Sequence, residues 1–581
     1  MNNKLLKSIL ALVSAIISVN VFGLASDNFL GITIILFILF FFYNFILKNI
    51  SFDKRKVTIS LLLAFIYTIL NLLGNIVIND LVVSFSFVIN IIGNLILFSF
   101  ICLFLFSKIE DLIKVREKFS FKFNIYKIKH FKLIVMIILF VCYIPAFIAS
   151  FPGVFAYDAP HQVTQFITSN IGNNQPVVSS LFIYLIMSIG KFIFSSWEGG
   201  LALFIVVQML ICFYVIAYLL DFLREEKVNP IIIIITLLFF ALFPVNHLFM
   251  VNSGKDTLFS YFFLFFVITI IEMFKDKEKF FKSKGKVIRL VILILLTLFW
   301  RNNMIYVFII TALIYLIVLK KNCLKWLIIM IVTIVPYFVV TGPVYDSLGI
   351  RNSNTREMMS IPAQSIVNIY TKNSDSISNK DKKMIKYYFG TNNVEELKGI
   401  YRPFNGDNTK VSINNEKLLE NTGDFVKLFL SLSFRYPVDF LEAFLSNTLG
   451  YWYPNINFPN DGVYPQKYIE YTNSTYEVEM MTDRYDYLPS LSNYYLDLGE
   501  GRGLSMLGPL AFLGNMGLIL WIYLFFIAYS IYKRRYNILL YLIPLALLFA
   551  TNLLGPVVIF RYVYYLLISM ILFVVLSFRK E

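Results

Sequence analysis

FKLIVMIILFVCYIPAFIAS, residues 131–150, runs straight into FPGVFAYDAPH, residues 151–161. From Leu133 to Ser150 the chain carries no charge and is almost wholly apolar, enough to cross the ~30 Å hydrocarbon layer as a helix. Pro152 and Gly153 then break the run, and the first charged side chain met is Asp158. A carboxylate at a membrane surface carries a desolvation cost, so its position argues for a role.

The same alternation of apolar runs and short polar breaks fills the 581 residues, of which 58% are hydrophobic, 17% aromatic and only 15% charged. That composition belongs to an all-α polytopic membrane protein. Runs of about 20 apolar residues predict spans near 6–25, 29–48, 57–78, 81–106, 131–150, 199–222 and 230–250. Others fall near 257–274, 287–300, 304–320, 324–342, 506–532, 537–556 and 561–578, about fourteen in all. The first is read as a retained helix rather than a cleaved signal peptide, because a second span follows almost at once.

Charge orients these spans. Lys54-Arg55-Lys56, the Lys108 to Lys132 loop, Lys275 to Arg289, Lys320-Lys321 with Lys325, Lys533-Arg534-Arg535 and Arg579-Lys580 fall on one face, the cytoplasmic one by the positive-inside rule. With an even number of spans, both termini are expected in the cytoplasm of a cell carrying this protein in its plasma membrane. Residues 342–505 hold 16 Lys+Arg against 20 Asp+Glu, so the +15 net charge of the chain resides entirely outside that segment. Such a distribution serves membrane topology, and nucleic acid is not expected as a partner. Residues 176–195 are apolar enough to span, but a crossing there would invert every later loop. The stretch is therefore expected to lie along the outer membrane interface, with Pro176 opening its first turn.

Four regions follow: an N-terminal transmembrane extension with its basic loop, 1–130; a membrane core, 131–341, with an outer loop at 151–198; an extracytoplasmic, mainly helical domain, 342–505; and C-terminal transmembrane helices, 506–581. Cys102, Cys142, Cys212 and Cys323 lie in or beside apolar runs without metal-ligand spacing, and predict neither disulfides nor a zinc site.

Four groups are expected to converge on the outer surface: Asp158 with His161, Gln162 and Gln165; Lys255-Asp256; Trp300-Arg301-Asn302-Asn303; and Arg561-Tyr562. A surface carboxylate can take a proton from a hydroxyl. Arginine and lysine at headgroup depth can grip a lipid phosphate and stabilise its charge as it leaves. Plainer roles compete: Asp158 as a helix N-cap, Lys255-Asp256 as a local ion pair, Arg561 snorkelling to the interface. Asp158, His161, His247 and Asp256 also offer oxygen and imidazole ligands for a divalent metal such as Mg or Mn, though no spacing fixes a site.

The order and sidedness of these elements resemble the GT-C superfamily of membrane glycosyltransferases, which includes protein O-mannosyltransferases and aminoarabinose transferases. Asp158 stands in the place of that superfamily's acidic residue in the first outer loop. Asn174-Gln175-Pro176-Val177 is similar to its His-Pro-Pro element, with glutamine for histidine and valine for the second proline. Asp256, Arg301 and the Arg561-Tyr562 pair match its later acid, its basic residue in a helix break, and its terminal Arg-Tyr. A nearer likeness is to an uncharacterised group of large Gram-positive membrane proteins sharing the Lys-Asp, Arg-Asn-Asn and Tyr-Trp-Tyr-Pro elements.

The resemblance spans about Lys132 to Glu581. It implies a GT-C-like bundle that moves a sugar, with inversion, from a polyprenyl-phosphate donor to a cell-envelope glycan, lipid or protein acceptor. It further implies Asp158 as base, Asp256 as second acid, Arg301, Lys255 and Arg561 on the lipid phosphate, and Tyr451, Trp452 and Tyr453 stacking on sugar. Competing classes are a transporter or flippase of lipid-linked saccharide, an envelope polysaccharide polymerase or ligase, and a non-catalytic scaffold.

Overall fold

The computed structural model describes residues 3–22, 28–78, 85–116, 125–391, 393–454, 469–473, 483–500 and 503–578. Among them the regular structure is helical, and pairing outside helices is limited to isolated bridges. Helices α1 (Asn3–Ser18), α2 (Phe29–Asn49), α3 (Lys54–Ile78) and α4 (Phe85–Arg116) open the chain. Helices α5 (Phe131–Ala149), α6 (Ala159–Ile167), α7 (Val177–Phe194), α8 (Trp197–Glu225), α9 (Pro230–Leu242) and α10 (Pro244–Val251) follow. Next come α11 (Lys255–Lys275), α12 (Lys277–Lys282), α13 (Lys284–Trp300), α14 (Met304–Val318) and α15 (Cys323–Val339). Three more, Met516–Tyr532, Asn537–Asn552 and Tyr564–Ser577, complete the bundle.

The centre is α11, whose sequence KDTLFSYFFLFFVITIIEMFK is apolar on every face. Such a helix needs neighbours all round, and 17 of its 21 residues are buried, among α8, α13 and the last two helices. Its first turn, Lys255-Asp256, is thereby fixed near the axis of the bundle.

Helices α5 and α8 are antiparallel. Lys132 meets Asp221 at 3.6 Å at one end, Tyr143 meets Phe213 at a ring distance of 5.0 Å midway, and Ile205 packs on Gly153 at the other. Helix α7 folds back on the start of α8, Phe182 against Phe204 and Gly190 against Gly200. A Cβ on Gly190 would come within 2.7 Å of the Gly200 Cα, so this close approach requires glycine. Helix α7 therefore lies beyond the end of α5, and the chain leaves and re-enters the bundle on the same side.

The lysine- and arginine-rich loops gather at one end. There Lys56 and Lys533 share Glu110, Lys275 meets Glu226, and Lys286 and Arg289 share Glu272. Arg579-Lys580 and residues 117–124 of the long basic loop lie outside the described residues. Asp158, Asp256, Arg301 and Arg561 all lie at the opposite end.

This is a multi-pass membrane protein: by length and composition nine described helices can cross a bilayer, or eleven if each bent pair counts as one span. The bends are at α9–α10, 51°, and before Met516–Tyr532, 58°. Fourteen crossings were expected, and every expected stretch contains a helix, but four of those helices are short. Helices α13, α14, Asn537–Asn552 and Tyr564–Ser577 have 17, 15, 16 and 14 residues. At 1.5 Å per residue they reach about 21–26 Å, less than a ~30 Å core. Helix α7, expected at the interface, meets the length test.

The segment after α15 divides between two cores. Residues 363–432 build their own, around Ile366, Ile385, Leu418, Phe425 and Leu428. Helix Pro437–Trp452 then packs on α3 and Met516–Tyr532, while Ile469, Tyr471, Tyr495 and Leu498 are buried in the core of the membrane helices. The first half also clasps the loops of the bundle: Asn173 N–H donates to Arg351 O at 2.8 Å, and Gly406 N–H to Pro556 O at 2.6 Å.

Candidate functional site

Two loops at this end run parallel and extended. Val154 N–H donates to Val251 O at 2.8 Å, Ser253 N–H to Val154 O at 3.0 Å, and Ala156 N–H to Ser253 Oγ at 3.2 Å. From α8, the buried Gln208 amide donates to Met250 O and Asn252 O at 3.0 and 2.8 Å. Gly254 leaves space for the Tyr157 ring, which a Cβ there would approach to 2.9 Å. The pairing sets the next residues of each loop, Asp158 and Lys255, side by side.

Asp158 occupies the N-cap position of α6, yet its side chain makes no capping hydrogen bond. It turns to cations instead. Lys255 Nζ donates to Asp158 Oδ2 at 2.7 Å and to Gln175 Oε1 at 2.5 Å, and Arg561 Nη1 donates to the same Asp158 oxygen at 3.3 Å. Arg561 Nε faces Asp256 Oδ2 at 3.8 Å, so one guanidinium stands between two carboxylates. Burial alone would raise the Asp158 carboxyl, but Lys255 and Arg561 outweigh it and hold the group well below the usual carboxylate range. The exposed His161 acts in the same direction.

The two arginines meet on one ring. Arg561 stacks on Tyr157 and Tyr562, 4.4 and 5.2 Å from the centroids, and Arg301 on Phe259 and Tyr562, 5.2 and 5.3 Å. Stacking on aromatic faces keeps a guanidinium charged away from water while leaving its edge free. Arg301 Nη2 donates to Asn552 Oδ1 at 3.3 Å, and Arg301 Nη1 and Arg561 Nε are buried with no hydrogen-bond acceptor. Charged donors outside a hydrogen bond are costly to bury, the Asp256 carboxylate at 3.8 Å offsets part of that cost for Arg561, and both guanidinium edges are suited to an anionic oxygen.

The other expected residues divide. Gln162 is fully buried and donates to Ser180 Oγ at 2.8 Å, pinning α6 to α7. Asn302 donates to Asn173 O at 3.0 Å and Asn303 to Thr551 Oγ1 at 2.7 Å, fixing the break that presents Arg301. Trp452 is buried, donates to Thr448 Oγ1 at 3.1 Å, and accepts from Trp521 Nε1 at 2.9 Å through its carbonyl. Its neighbour Tyr451 is buried, packs edge-on against Phe549 and donates to Val557 O at 3.3 Å, in the loop that leads to Arg561. His247 gives both ring nitrogens to Tyr495 Oη and Ala241 O, at 2.7 and 2.8 Å. Among the described residues no three His, Cys, Asp or Glu side chains group as a metal site would need.

Three contributors were not singled out from the sequence. Tyr157 precedes the acid and carries Arg561. Asn552 links Arg301 to Tyr562 O, donating to the latter at 2.9 Å. Glu470 comes from the segment between Pro437–Trp452 and Met516–Tyr532: its backbone N–H donates to Tyr157 Oη at 3.0 Å, and its carboxylate accepts from Tyr157 N–H. Burial pushes the Glu470 carboxyl up, against the pull of the Tyr157 N–H and Arg561. Glu470 has no local pattern to betray it; only the folded segment brings it here.

Residues 167–581 match the family of unknown function DUF6020, and the chain belongs to that family. No curated protein and no solved structure matches it.

Proposed function

We propose that this membrane protein is a glycosyltransferase that moves a sugar from a polyprenyl-phosphate donor to an extracytoplasmic cell-envelope acceptor, a glycan, lipid or protein, with inversion. The observation that carries this reading is the pair of arginines on Tyr562, each keeping a buried donor without an acceptor, beside the Asp158 carboxylate. That is a phosphate grip next to a proton acceptor, at the end of the bundle opposite the basic loops. The basic loops favour a cytoplasmic face for the other end, which leaves the site outside.

In the resting arrangement Asp158 is bound by two cations, and a carboxylate held so low is a weak base. A donor phosphate competes for Lys255 and Arg561, and as they turn to it the Asp158 carboxyl regains basicity. The acceptor oxygen then attacks the anomeric carbon from the face opposite the phosphate. The new O–C bond forms as the C–O bond to phosphate breaks, the bonding pair leaves on the phosphate, and the hydroxyl proton passes to Asp158. Arg301 and Arg561 stabilise the charge growing on the leaving group, Asp256 orients the acceptor, and Tyr451 lines the sugar side. The residues do not suit Mg or Mn: the place between Asp158 and Asp256 is taken by the Arg561 guanidinium, and no step uses a metal.

The test is mass spectrometry of envelope glycans from cells with the intact protein, without it, and with Asp158→Asn, alongside an assay of lipid-linked sugar movement. Loss of one sugar substituent in both altered strains, with movement intact, is expected. An unchanged glycan profile would overturn the proposal, and equal loss of movement would replace it with a transporter.

A further inference from the structure

A second feature lies away from this site, on the flank of the bundle. Helices α8, α11 and α13 leave between them a groove of about 380 Å³ lined by Tyr214, Val215, Phe262, Phe265, Ile292 and Leu296. It begins at Gly285, where a Cβ would meet nothing within 4 Å, and runs to Leu296. At 1.5 Å per residue that is about 16 Å from the basic end toward mid-bundle. The carrier lipid of the proposed reaction must enter from the other end, where Arg301 lies.

The mouth of the groove is polar and basic. Arg289 lines it, stacked on Tyr218 and Phe265 at 5.0 and 5.5 Å, with its Nε buried and lacking an acceptor. Lys286, half-exposed, reaches Glu272 at 3.3 Å, and Lys132 lies 5.6 Å from the Tyr218 centroid. With Arg224, four cations surround two carboxylates, Glu272 and Asp221. An apolar channel opening under excess positive charge at a membrane face is complementary to a lipid with a negative headgroup.

We propose that this groove holds one acyl chain of an anionic glycerophospholipid, with its headgroup at Lys286 and Arg289. The site is independent of the glycosyl-transfer reading. It is tested on the full-length protein in detergent, by native mass spectrometry of retained lipid and by melting temperature with phosphatidylglycerol, phosphatidylcholine or inorganic phosphate added.

Phosphatidylglycerol is expected to be retained and to raise the melting temperature more than phosphatidylcholine, and phosphate alone to do nothing. Ile292→Trp, at an exposed position of the groove, fills it and abolishes retention with the lipid-free melting temperature unchanged. Lys286→Gln lowers the preference for phosphatidylglycerol about fivefold, the effect of one surface cation. Equal binding of the two lipids, retention of a polyprenyl phosphate instead, a shift with phosphate alone, or wild-type retention in both variants would each overturn the proposal.

Discussion

Asp158 and Glu272 are both carboxylates set among two cations, at opposite ends of the bundle, and they are built differently. Glu272 lies on the central helix, 11% exposed; Lys286 and Arg289 come from the helix beside it, and Tyr218 donates to it at 2.5 Å from a third. Its ring of polar groups is carried on helix faces and fastens those helices together. Asp158 is 28% exposed at the N-cap of α6, and its partners Lys255 and Arg561 come from the first turn of α11 and from the short turn Phe560–Tyr562, 97 and 403 residues away in sequence. A charge cluster on the mid-faces of packed helices strengthens packing, and one assembled where helix ends meet loops can exchange partners with less disturbance of the helices.

Substitution should separate the two. The largest effect is expected from Asp158→Asn, which removes the proton acceptor: transfer measured on isolated membranes should fall about 10²–10⁴-fold, with the melting temperature little changed. A collapse of the fold instead would erase the contrast. Glu272→Gln should do the reverse, costing roughly 1.5–3 kcal/mol, read as a lower melting temperature, with transfer per folded molecule preserved.

Arg301→Lys keeps the charge and loses the planar stack on Phe259 and Tyr562. Donor binding is expected to weaken about tenfold, and unchanged binding would detach Arg301 from the phosphate grip. The smallest effect concerns pH. The Glu470 carboxyl is raised above its ordinary 4.5, so the folded state holds its proton more tightly than the unfolded chain does. Its contribution is full below pH 4.5 and is lost as pH rises through the raised value. Glu470→Gln should therefore gain a few degrees in melting temperature over the wild type above that window and show no gain below it.

Much of this was legible in the sequence. Asp158, Lys255, Asp256, Arg301 and Arg561 were visible because a charge at the border of an apolar run is costly enough to need a reason, and four of the five join one network of ion pairs. Arg301 joins it through the Tyr562 ring. Span lengths were harder to read, because apolar composition continues past the helix ends into turns, as after Asn552 and before Tyr564. The phase of the Tyr451-Trp452-Tyr453 run was hidden as well: adjacent helical residues point about 100° apart, and composition does not say which faces inward. Glu470 and Asn552 depend on contacts over hundreds of residues, and no local pattern marks them.

The backbone bridge that ties Val154 to residues 251–253 has a last implication. Because main-chain hydrogen bonds align these loops, the backbones that carry the carboxylate and the ammonium are held near each other before the side chains meet. Much of the entropy of bringing the two chain segments together is thus met during folding, leaving the side chains to close the pair.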